Sequence, residues 1–158
     1  MEYVVEVGPT AAQCLATVRG QANQENLTAQ IRPLFDRVYS LLRAVDVGPL
    51  GYNVILYWDE AGRDLLHTPG GLTIEIGVQV PAPFTSDNGL RSSATPAGLV
   101  ARTTHVGEYD QLGRAHEAIL RWSRERGRPL AGPNWEIYGH WHDQVELRKT
   151  EVVYLLQA

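Results

Sequence analysis

One set of landmarks occurs twice in this chain, at a fixed spacing of 84 residues. Gly48-Pro49 recurs as Gly132-Pro133, and Asp59, which closes Tyr57-Trp58-Asp59, recurs as Asp143 after Trp141-His142. The same shift carries the helical stretch 109–127 onto 25–43, the other helical stretch of the chain. Neither half has enough core to stand alone, so two copies of one supersecondary unit must pack together. The duplication predicts a single domain over 1–158, with a first repeat at about 3–80, a linker at 81–97 and a second repeat at about 98–157.

Each copy reads as strand, helix, strand, strand. Extended runs at 13–19 and 99–106 come first. The first helix carries Leu27, Ile31, Leu34, Phe35, Val38, Leu41, Leu42 and Val45 at three-and-four spacing, with Pro33 as its start or a kink. The second carries Leu112, Ala115, Ile119 and Trp122, with Asp110 as N-cap and Gly127 as C-cap. Gly-Pro then introduces strands at 51–58 and 72–80, and again at 134–142 and 147–156; a further strand at 3–7 precedes the first copy. In 72–80, Leu72, Ile74, Ile76, Val78 and Val80 alternate with Thr73, Glu75, Gly77 and Gln79, which predicts a sheet covered on one side. The fold class is α+β: duplicated β-α-β-β units with pseudo-two-fold symmetry, a mainly antiparallel sheet, helices on one side and a ligand groove between the halves.

Strand 134–142 carries the chemistry. Period two separates Trp135, Ile137 and Trp141, expected against the helices, from Glu136, Tyr138, His140 and His142, expected to face away. The shift of 84 puts Tyr52, Val54, Leu56 and Trp58 on the equivalent face of the other copy. An apolar, aromatic wall then opposes one carrying a carboxylate, a phenol and imidazoles, the pattern of a ligand site. A carboxylate among aromatic rings suits a bulky, lipophilic cation. Half-burial raises the pKa of Glu136 and a bound cation lowers it again. The competing reading makes Glu136 a solvated residue on an open strand face. Tyr109 is either a ligand contact or a staple packing the helix start.

Several function classes lose their footing. The net charge is −4, Lys149 is the one lysine, and basic residues cluster only at Arg121, Arg124, Arg126 and Arg128. Without a basic stripe to neutralise phosphates, direct nucleic-acid binding is not expected. Cys14 is the one cysteine, which excludes an internal disulfide, suits a reducing compartment and reads as a small strand hydrophobe beside Ala16 and Val18. No targeting segment and no run of about 18 apolar residues occurs, so a cytoplasmic protein without a membrane partner is expected. His140 and His142 stand two apart while His67, His105 and His116 are scattered, so no metal or cofactor is expected. Nucleophile-elbow, P-loop and dinucleotide motifs do not occur.

Three segments together resemble a known superfamily. They are His105-Val106-Gly107-Glu108-Tyr109-Asp110-Gln111-Leu112-Gly113, then Ala131-Gly132-Pro133-Asn134-Trp135-Glu136-Ile137-Tyr138, then Thr150-Glu151-Val152-Val153-Tyr154-Leu155. Their order and spacing, with 71–81 as the matching hairpin strand of the first half, resemble the GyrI-like small-molecule-binding superfamily, which includes effector-binding domains of AraC-type and MerR-type regulators. The resemblance implies a groove for lipophilic, often cationic compounds, with the family's acidic residue on Glu136 and its tyrosine on Tyr138. The implied ligand-binding set is Glu136, Tyr138, Tyr52, Trp58, His140 and Tyr109. The recognisable domain starts at about residue 3, so a helix-turn-helix segment and direct transcription-factor action are not expected. The leading expectation is a stand-alone drug-binding protein. The resemblance also admits a hydrolase of cyclopropane-bearing genotoxic natural products, with Glu136, Tyr138 and Tyr109 as catalytic groups, and a gyrase modulator acting on a protein partner. The imidazole-rich His140-Trp141-His142 departs from the pattern.

Overall fold

The computed structural model describes residues 2–158. In chain order the elements are β1 (Glu6–Thr10), β2 (Cys14–Ala22), α1 (Leu27–Leu42), β3 (Asn53–Trp58), β4 (Leu72–Gln79), β5 (Arg91–Ala94), β6 (Gly98–Val106), α2 (Gly113–Arg126), β7 (Leu130–Tyr138) and β8 (Lys149–Leu156). All eight strands form one antiparallel sheet in the order β1-β6-β8-β7-β3-β4-β2-β5. The triplets β6-β8-β7 and β3-β4-β2 run in mirrored order on either side of the β7–β3 seam, the arrangement a duplicated β-α-β-β unit demands.

The edge strands are exchanged between the triplets. β1 leads into β2 but pairs with β6, while β5 leads into β6 but pairs with β2. Residues 81–97 are therefore more than a linker. Their Pro-, Ser- and Gly-rich composition conceals the four-residue strand β5, whose pairing partner lies far away in sequence. The first strand likewise sits at Glu6–Thr10 rather than 3–7, because its register is set by β6.

Both helices lie on one face. The stripe of α1 packs on β2 and β4 through Leu34 and Val38, and α2 packs Ala115 and Ile119 against β6 and β8. Pro33 is inside α1. The amide it lacks would have bonded the carbonyl of Ala29, on the solvent side of the helix, where water can replace it. Gly127 ends α2 with φ 61°, a left-handed conformation that glycine adopts without Cβ strain. Asp110 is not a cap. It lies in a 3-10 turn over Tyr109–Gln111, and α2 begins only at Gly113, with Leu112 in the cap position.

The faces of β7 are opposite to expectation. Cross-strand register pairs Ile55 with Glu136 and Glu136 with Val152, while Tyr57 and Tyr154 flank Asn134. Ile55 and Tyr57 belong to the cluster under α1, and Val152 and Tyr154 to the cluster under α2. Glu136 and Tyr138 therefore point toward the helix layer, and Trp135 and Ile137 away from it. Alternation tells which side chains share a face but not which face a helix covers.

The shift of 84 also fails locally. Gly132-Pro133 sits within an irregularity of β7 between Leu130 and Asn134, and the register beyond it pairs Asn53 with Tyr138, Ile55 with Glu136 and Tyr57 with Asn134, so the residues between them on β3 alternate to the other face. Val54, Leu56 and Trp58 consequently lie on the far side of the sheet from Glu136. That far face is a core in its own right, built from Leu15, Val54, Leu56, Val100, Trp135 and Val153. The centre of β4 is thus covered on both sides, and Glu75 is fully buried. At Gly77 a Cβ would stand 1.9 Å from the carbonyl oxygen of Ala16, so only glycine permits this approach of β4 to β2.

Candidate functional site

Between α2, the segment 59–67 and the β3–β7–β8 part of the sheet lies a cavity of about 710 Å³, lined from both halves of the chain. Leu27, Leu66, Leu72, Leu112, Leu120 and Leu130 make it largely apolar. The exposed Glu60, Arg63, Asp64, His67 and Glu117 also border it, while its buried polar groups converge on one place. Leu112, His116 and Leu120, four residues apart, share one line along α2, so His116 is presented between two leucines. Tyr57, Glu136 and Tyr154 rise from three neighbouring strands on the helix side.

Glu136 is only 4% exposed, yet it is fully provided with donors. Oε1 accepts from the hydroxyls of Tyr138 at 2.7 Å and Tyr57 at 3.0 Å. Oε2 stands 2.6 Å from Nε2 of His116. Burial pushes the Glu136 pKa up, but the hydrogen bond and charge of His116, then the hydrogen bonds of Tyr138 and Tyr57, outweigh it. The group is held below its ordinary value of 4.5 and is a carboxylate at neutral pH. This reverses the direction expected from half-burial, because a strand residue pointing under a helix meets three donors rather than solvent. Burial, then the nearby Glu136 charge, pushes the phenols of Tyr57, Tyr138 and Tyr154 far above their ordinary range, so all three stay protonated.

The hydrogen bonding extends one step further. Nδ1 of His116 lies 2.7 Å from the Tyr154 hydroxyl. With Glu136 ionised, Nε2 must carry a proton. A neutral His116 then accepts from Tyr154 at Nδ1, whereas an imidazolium donates to it. The Glu136–His116 pair carries one net negative charge in the first state and none in the second.

Of the residues singled out in the sequence, the structure joins three. Tyr138 donates to Glu136, and the Tyr109 ring stands edge-on to Tyr138 at 5.7 Å. Both lie behind Glu136 rather than on the cavity wall. The other three are elsewhere. Tyr52 is 41% exposed and stands edge-on to His140 at 5.0 Å; β7 ends at Tyr138, so His140 and His142 are not on its face at all. Trp58, on the far side of the sheet, donates its indole N–H to Glu75 at 2.6 Å.

Glu75 is a second buried carboxylate. It also accepts from Thr17 at 2.6 Å, and Arg19 lies 3.6 Å away. Burial raises its pKa, but hydrogen bonds from Thr17, Ser93 and Trp58 and the Arg19 charge hold it below 4.5. It has no cavity. Sequence reasoning overlooked Tyr57, His116 and Tyr154. The signal for His116 was present, since it falls inside the apolar stripe of the second helix, where an imidazole needs a partner.

The sequence pattern of the family described as the GyrI-like small molecule binding domain matches residues 17–155. This chain belongs to that family. Solved structures agree on the fold of this GyrI-like domain. The C-terminal domain of EcmrR superposes with a TM-score of 0.77 at 17% identity, covering 99% of each chain. SAV2435, solved with tetraphenylphosphonium bound, gives 0.68 at 15% identity, covering 100% of this chain and 95% of its own. A hydrolase from Listeria innocua, encoded by lin2189, gives 0.61 at 12% identity over 97% and 91%. No curated protein sequence matches the chain. Among the described residues no helix is long and apolar enough to cross a membrane.

Proposed function

We propose that this GyrI-like domain binds a bulky, lipophilic organic cation in the cavity between its halves and sequesters it in the cytoplasm. One observation carries the reading: Glu136 is a buried, ionised carboxylate in the wall of an otherwise leucine-rich cavity. A carboxylate there has no water shell to lose, so a cation that sheds its own hydration meets a pre-oriented counter-charge. About 710 Å³ accommodates a ligand of drug size. Tetraphenylphosphonium, held by SAV2435 in the same fold, is a suitable probe. The test is calorimetric titration with tetraphenylphosphonium and with tetraphenylborate, a pair alike in shape and opposite in charge. The cation binds and the anion does not; Leu120→Trp, which fills the cavity, abolishes the binding. No binding of the cation, or equal binding of both ions, refutes the reading.

A second reading is hydrolytic ring opening of cyclopropane-bearing natural products. The hydrogen-bonded chain Tyr154–His116–Glu136 favours it, because a carboxylate that orients an imidazole is a common acid–base device. In that reading Glu136, whose low pKa makes it a weak base, orients His116 and through it Tyr154. Tyr138 and Tyr109 then support Glu136 from behind. A mass gain of one water after incubation with such a compound separates turnover from sequestration. A gyrase-type protein partner, the third reading, predicts indifference to Leu120→Trp.

A further inference from the structure

We infer that His116 is the specificity-determining residue of the cavity: its protonation decides whether the Glu136 end accepts a cationic or an uncharged ligand. The inference rests on the reading of the cavity as a small-molecule site and adds to it a rule for which ligands enter.

Three donors engage Glu136, two phenols on Oε1 and the imidazole on Oε2. The ligand therefore senses the carboxylate together with His116, as one unit. With His116 neutral that unit is an anion screened by little water. With His116 protonated it is an internally neutralised pair, and a cation gains little from it while an uncharged aromatic ligand loses nothing. A ligand cation and the second imidazole proton thus compete for one negative charge.

The other groups around His116 leave it as the residue that exchanges a proton at the cavity wall. From the sheet it is faced by Glu136, Tyr57 and Tyr154, with Tyr138 behind Glu136. The carboxylate is held ionised and the phenols protonated throughout the neutral range. From its own helix Glu117 lies beside it on the lining. Across the cavity stand Asp59, Glu60, Arg63, Asp64 and His67. There Arg63 pairs with Glu60 at 3.0 Å and His67 with Asp64 at 2.7 Å, both exposed, and Asp59 accepts from the amides of Glu60 and Leu65. An imidazole carries one ring proton or two, so its charge can change while the carboxylate and the phenols keep theirs. Linkage then makes the coupling reciprocal, so that a cation entering the cavity expels up to one proton.

The experiment uses the full chain with tetraphenylphosphonium and, as an uncharged relative, triphenylphosphine oxide, titrated between about pH 5.5 and 8.5 at constant ionic strength. Affinity for the cation rises with pH, by up to about tenfold per unit wherever one proton is displaced per ligand bound, and affinity for the oxide does not. Calorimetry in two buffers of different ionisation heat reads the proton released, and this measurement needs no variant. His116→Gln, whose amide can donate to Glu136 and accept from Tyr154, removes the slope; His67→Gln keeps it. Cation binding that is flat with pH and releases no proton overturns the inference while leaving the cavity reading intact, as does a slope that survives His116→Gln. Failure of both probes to bind at any pH overturns the cavity reading, and this inference with it.

Discussion

Glu136→Gln separates the charge of this carboxylate from its hydrogen bonds. The amide oxygen can take the place of Oε1 and keep both phenol donors, Tyr57 and Tyr138. The amide nitrogen then faces Nε2 of His116, where two donors would clash. His116 resolves this by carrying its proton on Nδ1, from which it donates to the Tyr154 oxygen 2.7 Å away. Every buried polar atom keeps a partner, so the thermal midpoint should change little. What disappears is one charge. For a cation seated about 6 Å away at an effective dielectric constant of about 20, the lost attraction is about 2.8 kcal/mol, or roughly 100-fold in affinity. Calorimetry with tetraphenylphosphonium at about pH 8 reads this loss, and triphenylphosphine oxide should bind parent and variant within about threefold. Equal affinity of a well-folded variant for the cation would remove the carboxylate from ligand recognition. Glu136→Leu is the contrasting change. It strands two hydroxyls and an imidazole N–H, each at about 1–3 kcal/mol, a large part of the 5–15 kcal/mol typical of a domain.

Other substitutions test the rest of the architecture. Trp58→Phe removes a 2.6 Å hydrogen bond to buried Glu75 and should cost about 1–3 kcal/mol by urea denaturation, while tetraphenylphosphonium affinity is unchanged because Trp58 is on the far face. Gly77→Ala drives a Cβ into the Ala16 carbonyl and should destabilise by about 3 kcal/mol or more; wild-type stability would show that β2 and β4 separate freely. Glu75 and Glu136 both have folded-state pKa values below 4.5, so their stabilisation is complete above 4.5 and is lost as pH falls through those lower values. The urea midpoint should therefore drop on acidification below about pH 5, and less steeply in Glu136→Gln; an identical acid profile in the variant would contradict the hydrogen-bond pattern around Glu136.

The duplication was legible because helices and hairpins are local. Three-and-four spacing set both helices within a few residues, and Gly127 was readable as a stop because a left-handed C-terminus favours glycine. Strand β5 was not legible, since an edge strand of Arg91–Ala94 has no apolar alternation and exists only by pairing with β2. Glu136 and Tyr138 were picked out together because period two places them on one face of β7. Their surroundings were not, since Tyr57 and Tyr154 come from the two flanking strands and His116 from a helix that crosses above.

By itself, then, the sequence determined that two β-α-β-β units share one antiparallel sheet and that a carboxylate and a phenol sit side by side on its penultimate strand. Tertiary structure decided which way that strand faces. Pairing with β3 sets Glu136 beside Ile55 on the helix side, and alternation then sends Trp135 to the far core with Val54 and Leu56. That choice put Glu136 under helix α2 with His116, and left Trp58 to serve Glu75 in a separate core. Pattern within a strand is a property of the chain, whereas the layer that covers it depends on neighbours brought in from elsewhere.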